Sequence, residues 1–297
     1  MAFATVALFL AVILLAGLGS LFGIGGGAQD DDAAPDDRAT LGSDECHLTA
    51  RSGAVASDHG TCSQMGVDRL RAGGNAVDAA VTVALCLGVV RPFSSGLGGG
   101  AFILISLANG TSEVVDAREE APAAATERMY VGKPEASLTG GAAIAVPGEL
   151  QGLRLAWERH GRAPWADNVL PVATLADSFV VDAEVADAIT HNADALRRFA
   201  ASSRLFLPHD RPPEAGATLS NTALAATLRT VAARPDALSH GDLAAQLAAE
   251  IAAAGGSVTA DDLARYAPVL RAPLRLDVGG VTLLGVPPPS SGGAHVT

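Results

Sequence analysis

The first thirty residues differ from the rest of the chain in hydrophobic pattern. Residues 1–29 carry no charged side chain, and the apolar run 3–24 would span about 33 Å as a helix, roughly the hydrocarbon thickness of a bilayer. This length predicts a transmembrane anchor over residues 1–24, with a cleaved signal segment as the alternative. Residues 25–44 are rich in Gly, Asp and Ala and are typical of a solvated linker, so folding should begin at residue 45.

Beyond the linker, most of the hydrophobic periodicity is helical. A short helix is expected over residues 62–70, and Asn75 is placed to cap a second helix over 76–90. That second helix is apolar nearly all round, which is typical of a buried helix. Further helical patterns predict elements over 148–160, 165–179, 183–199, 219–233 and 243–254, and a short helix capped by Thr259.

Strand patterns occur in two places. Residues 101–107 and 112–117 read as an antiparallel pair joined through the turn formers Asn109 and Gly110. A second pair is predicted over 274–278 and 281–286. Because strands and helices do not alternate regularly, the order favours an α+β fold over a doubly wound parallel sheet.

Composition narrows the function classes. The chain has 297 residues, 49% of them hydrophobic, and a net charge of −12. A large core is therefore possible, and the negative charge opposes nucleic acid as a partner. The seven histidines are scattered without the spacing of a metal motif. The glycine run at 96–100 leads into a strand and lacks a following Lys-Ser or Lys-Thr, so close backbone packing is favoured over phosphate binding.

Cysteines and a sequon bear on the compartment. Cys46 and Cys62 lie near the start of the folded region, and Asn109 begins the sequon Asn-Gly-Thr. Each is a weak sign of an extracellular domain, because free cysteines and chance sequons are common. Cys86 lies in the apolar stretch 81–90 and is interpreted as a small buried core residue.

Six short stretches carry a family resemblance. They are GAVAS at 53–57, GGNAVDAA at 73–80, SSGLGGG at 94–100, DAREEAP at 116–122, AVPGE at 145–149 and PPPSSGG at 287–293. Each word alone is common, but in this order they are specific. The sequence resembles the γ-glutamyltransferases.

The resemblance implies an Ntn-hydrolase: an αββα sandwich made as a precursor that cuts itself to expose an N-terminal threonine, whose amine serves as base. In the family the cut lies beyond the PPPSSGG stretch. We therefore expect residues 45–297 to be the large-subunit region, truncated before the catalytic threonine, with no catalytic nucleophile in this chain. Thr190 followed by His191 is similar to the family's processed start, but it lies in a helical pattern. No cofactor is expected.

Arg118 is the expected substrate-binding residue. It matches the arginine that in the family holds the α-carboxylate of the γ-glutamyl donor, and a guanidinium fork pairs with a carboxylate through two parallel hydrogen bonds. The alternative is a surface salt bridge to Asp116, Glu119 or Glu120.

The same resemblance implies a disulfide between Cys46 and Cys62, which would leave Cys86 reduced. It also implies a single-pass plasma-membrane protein with the enzyme outside, or a secreted one, and it agrees with glycosylation at Asn109.

The expected activity is γ-glutamyl hydrolysis and transfer, from glutathione to water, an amino acid or a dipeptide, with a C-terminal small subunit as partner. Two alternatives stay open: a related Ntn amidase or acylase, against which Arg118 argues, and a non-catalytic heavy-chain-only membrane protein.

Overall fold

The computed structural model describes residues 50–293. The predicted anchor over residues 1–24, the linker over 25–44 and Cys46 lie outside the described residues. Among the residues described, no helix combines the length and apolar character needed to cross a bilayer.

Ten α-helices form within residues 50–293. They are α1 (Gly60–Arg71), α2 (Ala76–Val90), α3 (Glu149–His160), α4 (Trp165–Asp177), α5 (Ala183–His191), α6 (Ala193–Arg197), α7 (Ala200–Phe206), α8 (Thr222–Ala233), α9 (Asp242–Ala253) and α10 (Ala260–Arg265). The buried helix α2 packs against α1, α3 and α4, and α4 packs against α8. The main core is therefore built between helices.

Seven strands form three antiparallel sheets in the same part of the chain. They are β1 (Ala101–Ser106), β2 (Ser112–Ala117), β3 (Phe179–Val180), β4 (Thr218–Leu219), β5 (Val269–Arg271), β6 (Leu274–Val278) and β7 (Val281–Gly285). The largest sheet has the order β1-β2-β5, and β3 pairs with β4 and β6 with β7. This mixed, antiparallel architecture confirms the α+β prediction.

The three-stranded sheet is covered by a helix on one face. Ile105, Val115 and Ala117 point to that face and pack with Ala156 of α3. The opposite face carries Leu104 and Val269, which are 38% and 43% exposed. Val114 and Asp116 of the same face are only 0% and 7% exposed, so this side of the sheet is covered in part and exposes some of its apolar side chains.

Several predicted elements differ from those observed. The single helix expected over 183–199 ends at Asn192, whose φ of −110° and ψ of 12° leave the helical region and whose side-chain amide donates to the carbonyl of Ala188. A separate short helix, α6, follows. The sequence pattern also missed the short helix α7. It missed the short strands β3, β4 and β5 as well, because they are stabilised by long-range pairing that has no local signature.

The predicted disulfide is wrong. Cys62 is bonded to Cys86, not to Cys46, and the two α-carbons lie 5.5 Å apart. The reason is the packing of α1 against α2, which brings the first turn of α1 beside the last turns of α2. The burial expected for Cys86 is confirmed, since it has no exposed surface, but its expected reduced state is not.

Candidate functional site

Three of the six recognised stretches meet at one end of the main sheet. The β-ladder pairs Ala101 with Ala117, so the glycine run 96–100 enters beside the residue at which β2 ends. The stretch 145–149 lies against the same place, because Glu120 and Val146 exchange backbone hydrogen bonds of 3.2 and 2.8 Å. Distant parts of the sequence are thus joined around position 118.

The glycine run is held by close backbone contacts, as the sequence indicated. A Cβ atom at Gly100 would lie 2.6 Å from the carbonyl oxygen of Ala117, and one at Gly88 would lie 2.9 Å from the α-carbon of Gly96. The start of α3 fixes the run from the other side, since the N–H groups of residues 148 and 149 both donate to the carbonyl of Gly99, at 2.9 and 3.0 Å. A side chain is therefore excluded at Gly88 and at Gly100.

Arg118 follows β2 directly, with its side chain 45% exposed. Its Nη1 atom lies 3.1 Å from a carboxylate oxygen of Glu119. The neighbouring Asp116 pairs instead with Arg271 of β5, at 2.7 Å. Of the salt bridges named as alternatives for Arg118, the one with Glu119 is formed, and it still leaves the guanidinium within reach of solvent.

The backbone of Arg118 is fixed on both sides. Its N–H group donates to Asp116 at 3.1 Å, and its carbonyl oxygen accepts from the hydroxyl of Tyr266 at 2.9 Å. Sequence reasoning missed Tyr266. A single tyrosine just after a short helix carries no signal that its hydroxyl meets a strand end 148 residues earlier in the chain.

Glu149 is a buried acidic side chain beside this site, and its pKa is strongly raised. The side chain is buried, and one oxygen accepts a hydrogen bond of 3.2 Å from the N–H of Gly96. Burial raises the pKa of the Glu149 carboxyl to about 8, the Gly96 N–H opposes the rise, and the negative charge of Glu119 adds to it. A neutral carboxylic acid is therefore favoured at this position at neutral pH.

Other candidate residues lie away from this cluster. Thr190 is in α5, and its hydroxyl donates to the carbonyl of Ala186, so it is in a helix, as the sequence pattern indicated. Asn109 lies in the exposed turn between β1 and β2, where its side-chain oxygen accepts from the backbone and hydroxyl of Thr111. Over residues 50–293, no three His, Cys, Asp or Glu side chains are grouped as a metal ion would need.

Comparison with known proteins identifies the family. The family model described as Gamma-glutamyltranspeptidase matches residues 62–297. The chain belongs to this family. The resemblance found in the six stretches is confirmed.

Curated relatives of this chain include named enzymes. It is 43% identical over 248 residues to Glutathione hydrolase 2 of Arabidopsis thaliana, covering 83% of this chain and 43% of that protein. It is 40% identical over 257 residues to the Glutathione hydrolase proenzyme of Escherichia coli, covering 84% of this chain and 44% of that protein. The chain thus spans less than half the length of these curated relatives.

The fold is also that of a solved member of the family. The γ-glutamyltranspeptidase of Helicobacter pylori superimposes with a TM-score of 0.81 at 29% identity, covering 84% of this chain and 74% of that one. Most of this chain therefore shares the fold of that enzyme.

Proposed function

We propose that this chain is the large-subunit portion of a γ-glutamyl hydrolase and transpeptidase. The complete protein would split glutathione and other γ-glutamyl amides and pass the γ-glutamyl group to water, an amino acid or a dipeptide. Two relatives named as glutathione hydrolases, at 43% and 40% identity, support this activity. One of them is named as a proenzyme, which fits maturation from a precursor.

Arg118 is our proposed binding residue for the α-carboxylate of the donor. The observation that carries this proposal is the convergence of stretches 94–100, 116–122 and 145–149 on a single arginine whose backbone is fixed while its guanidinium stays accessible. A substrate carboxylate could displace or join Glu119 at the guanidinium and gain charge-assisted, bidentate hydrogen bonds.

The nucleophile is proposed to lie in a small subunit beyond residue 297. The partly exposed face of the three-stranded sheet, where Leu104 and Val269 reach solvent, is the kind of surface that a second sheet would cover in an αββα sandwich. That second layer is where a processed threonine and its amine base would act. No cofactor enters this proposal.

The folded region is proposed to lie outside the cell, anchored at the plasma membrane or secreted. The disulfide between Cys62 and Cys86 supports this compartment, because such bonds persist in oxidising environments. The exposed position of Asn109 within its sequon supports glycosylation there. The apolar run over residues 3–24 has the length of an anchor.

A matched pair of substrates tests the activity and the arginine together. The full-length protein is given γ-glutamyl anilide and 4-aminobutanoyl anilide, which lacks only the α-carboxylate. We expect Arg118→Gln to lower kcat/KM for γ-glutamyl anilide by a factor that corresponds to roughly 2–5 kcal/mol of lost transition-state stabilisation, as when one partner of a buried charge pair is removed. The kcat/KM for 4-aminobutanoyl anilide should change little. Arg118→Lys should rescue only partly, because it keeps the charge and loses the fork.

Self-cleavage serves as the check on folding. Maturation needs no substrate carboxylate, so both variants should still give two chains on a gel. Arg197→Gln is the control, since Arg197 also pairs with a carboxylate at the surface, that of Asp210 at 2.9 Å. If Arg118→Gln stays within about fivefold of wild type, a loss of about 1 kcal/mol, then Arg118 is only a surface partner of Glu119. Turnover of acyl amides without any γ-glutamyl preference would instead favour an acylase.

A further inference from the structure

Arg118 is positioned through its backbone more than through its side chain. Within the described residues its guanidinium has one ion pair, with Glu119, which is the next residue in the chain and moves with it. The groups that join Arg118 to other elements are its carbonyl oxygen, bound by Tyr266, and its N–H, bound by Asp116. The position of the guanidinium therefore depends on the groups that hold the Arg118 backbone.

Tyr266 is built into the protein as a fixed hydrogen-bond donor. It lies immediately after α10 and is only 8% exposed. The helix before it starts with a capping box between Thr259 and Asp262, and Asp262 also accepts a hydrogen bond of 3.1 Å from the N–H of Ala123. The position of Tyr266 relative to the 116–123 segment is thus set at two separate points.

The packing around the tyrosine is tight enough to exclude a side chain. A Cβ atom at Gly148 would collide with both the Tyr266 hydroxyl and the carbonyl oxygen of Ala117. The start of α3, the end of β2 and the tyrosine ring therefore share one closely packed point. Loss of the hydroxyl alone would leave this packing in place.

The hydroxyl remains a donor in this setting. Burial raises the pKa of Tyr266, and the negative charges of Glu120, Asp116 and Glu119 raise it further. The phenol therefore keeps its proton and continues to donate to the Arg118 carbonyl over the whole pH range of an ordinary assay.

The N–H side of Arg118 is tied to the same region of the chain. Asp116 accepts from the Arg118 N–H with one oxygen, and with the other it accepts from Arg271 of β5 at 2.7 Å. Both backbone groups of Arg118 are thus linked, one directly and one through Asp116, to the segment 266–271, which runs from the end of α10 into β5.

We propose that Tyr266 is a positioning residue for the donor site: its hydroxyl holds the Arg118 carbonyl and so sets where the guanidinium meets the α-carboxylate of the γ-glutamyl donor. This inference rests on the proposed function and on the role of Arg118 in it. Tyr266 itself does not touch the donor.

Tyr266→Phe in the full-length protein is the direct test, and the chain supplies a matched control. Tyr130 is the other tyrosine of the chain, and its hydroxyl also donates to a backbone carbonyl, that of Ala142 at 2.8 Å. Both changes remove a tyrosine-to-carbonyl hydrogen bond, but only one concerns Arg118. We expect Tyr266→Phe to raise the KM for γ-glutamyl anilide about three- to tenfold with kcat within about twofold, since uniform binding is lost, and Tyr130→Phe to change neither.

A double-mutant cycle separates positioning from a general structural effect. If Tyr266 acts through the arginine, Tyr266→Phe should have no further effect on KM once Arg118 is Gln. An effect of equal size in both backgrounds, a fall in kcat or in self-cleavage, or an effect matched by Tyr130→Phe would each overturn the proposal. These outcomes differ from failure of the proposed function itself, in which the wild-type protein would not turn over γ-glutamyl anilide at all.

Discussion

Among the single residues of the site, Glu149 is a buried acid with few polar partners. One of its oxygens accepts from Gly96, and the other has no hydrogen-bond partner among the described residues. A small cavity beside it is lined by apolar side chains, including Leu85, Leu97 and Leu228. An ionised carboxylate would be costly in such surroundings, which is why burial raises the pKa of Glu149 to about 8.

The raised pKa predicts how Glu149 changes stability with pH. The unfolded chain releases this proton near pH 4.5, the ordinary value, whereas the folded protein keeps it until about pH 8. Between these values the folded state binds more protons, so this residue's contribution to the free energy of unfolding is complete below pH 4.5 and is lost as the pH rises through 8. The loss should be on the order of a few kcal/mol.

Glu149→Gln tests this sign, because glutamine keeps an acceptor for the Gly96 N–H and cannot ionise. Urea midpoints of wild type and variant should be compared at several pH values from 5 to 8.5. We expect the variant to gain stability relative to wild type as the pH rises over this range. The exposed Glu127→Gln variant controls for loss of one charge. A difference between wild type and Glu149→Gln that does not change with pH would show that Glu149 titrates as an ordinary carboxyl.

The sequence identified some residues of the site and missed others. The difference is whether a residue lies in a recognisable stretch or depends on contacts with residues far away in the sequence. Arg118 could be singled out because it lies in a recognisable stretch, although its role stays a prediction. Glu149 lies in such a stretch too, yet its burial depends on helices α2 and α8 packing over it. Tyr266 could not be found, because a side chain reaching across the molecule to one carbonyl leaves no periodic or local pattern.

At the scale of elements, α2 was predicted with its observed bounds because its signals are local. Asn75 and Asp78 form a capping box at its start, and the apolar run that follows defines its length. Asp78 also accepts from the N–H groups of Arg162 and Ala163 and from Asn168. These hydrogen bonds outweigh burial, which alone would raise the pKa of Asp78, and hold it below its usual value. The stretch GGNAVDAA is thus explained by structure.

The disulfide was predicted wrongly because pairing depends on how two helices pack. Cys86 lies in an apolar run, and its own surroundings indicate only that it is buried. Its partner becomes apparent once α1 lies against α2 and places Cys62 at an α-carbon distance of 5.5 Å. Residues 1–297 hold three cysteines, so this bond removes Cys62 as the partner that was predicted for Cys46.

The corrected pairing gives a test that distinguishes the two cysteine arrangements. In the chain-entropy model a bond between residues 24 apart contributes about 3.5 kcal/mol to the free energy of unfolding. Replacing Cys62 and Cys86 together by Ala should therefore lower the free energy of unfolding by about this amount, measured by urea titration. Cys46→Ala is the control and should change nothing. Peptide mapping without reduction should recover Cys62 linked to Cys86, and a Cys46-linked peptide would contradict the structure.

At the scale of the whole molecule, the sequence predicted the α+β class but could not show which surfaces stay open. The class follows from irregular alternation of strand and helix patterns, and antiparallel pairing confirms it. The exposure of a sheet face depends on whether another element packs against it. The partly exposed face of the main sheet and the hairpin of β6 and β7 expose apolar side chains, including Leu104, Val269, Val278 and Val281. Such a surface is typical of one that another layer covers.

Residues 45–297 expressed without any further segment should be inactive. This region spans less than half of the curated relatives. Thr190 is unsuited to act as the nucleophile, because it lies in a helix and donates its hydroxyl proton to the carbonyl of Ala186. A hydroxyl that no base activates is a poor nucleophile at neutral pH, and the ring of the neighbouring His191 is hydrogen-bonded to the carbonyl of Asp187 at 2.7 Å. We therefore expect no release of product from γ-glutamyl anilide above the buffer rate, from a sample whose helical content and disulfide show that it is folded.

Thr190→Ala should behave as the unmodified region does. Clear turnover that survives both Thr190→Ala and Arg118→Ala would mean that the chemistry lies in residues other than those considered, and that the region needs no small subunit to act.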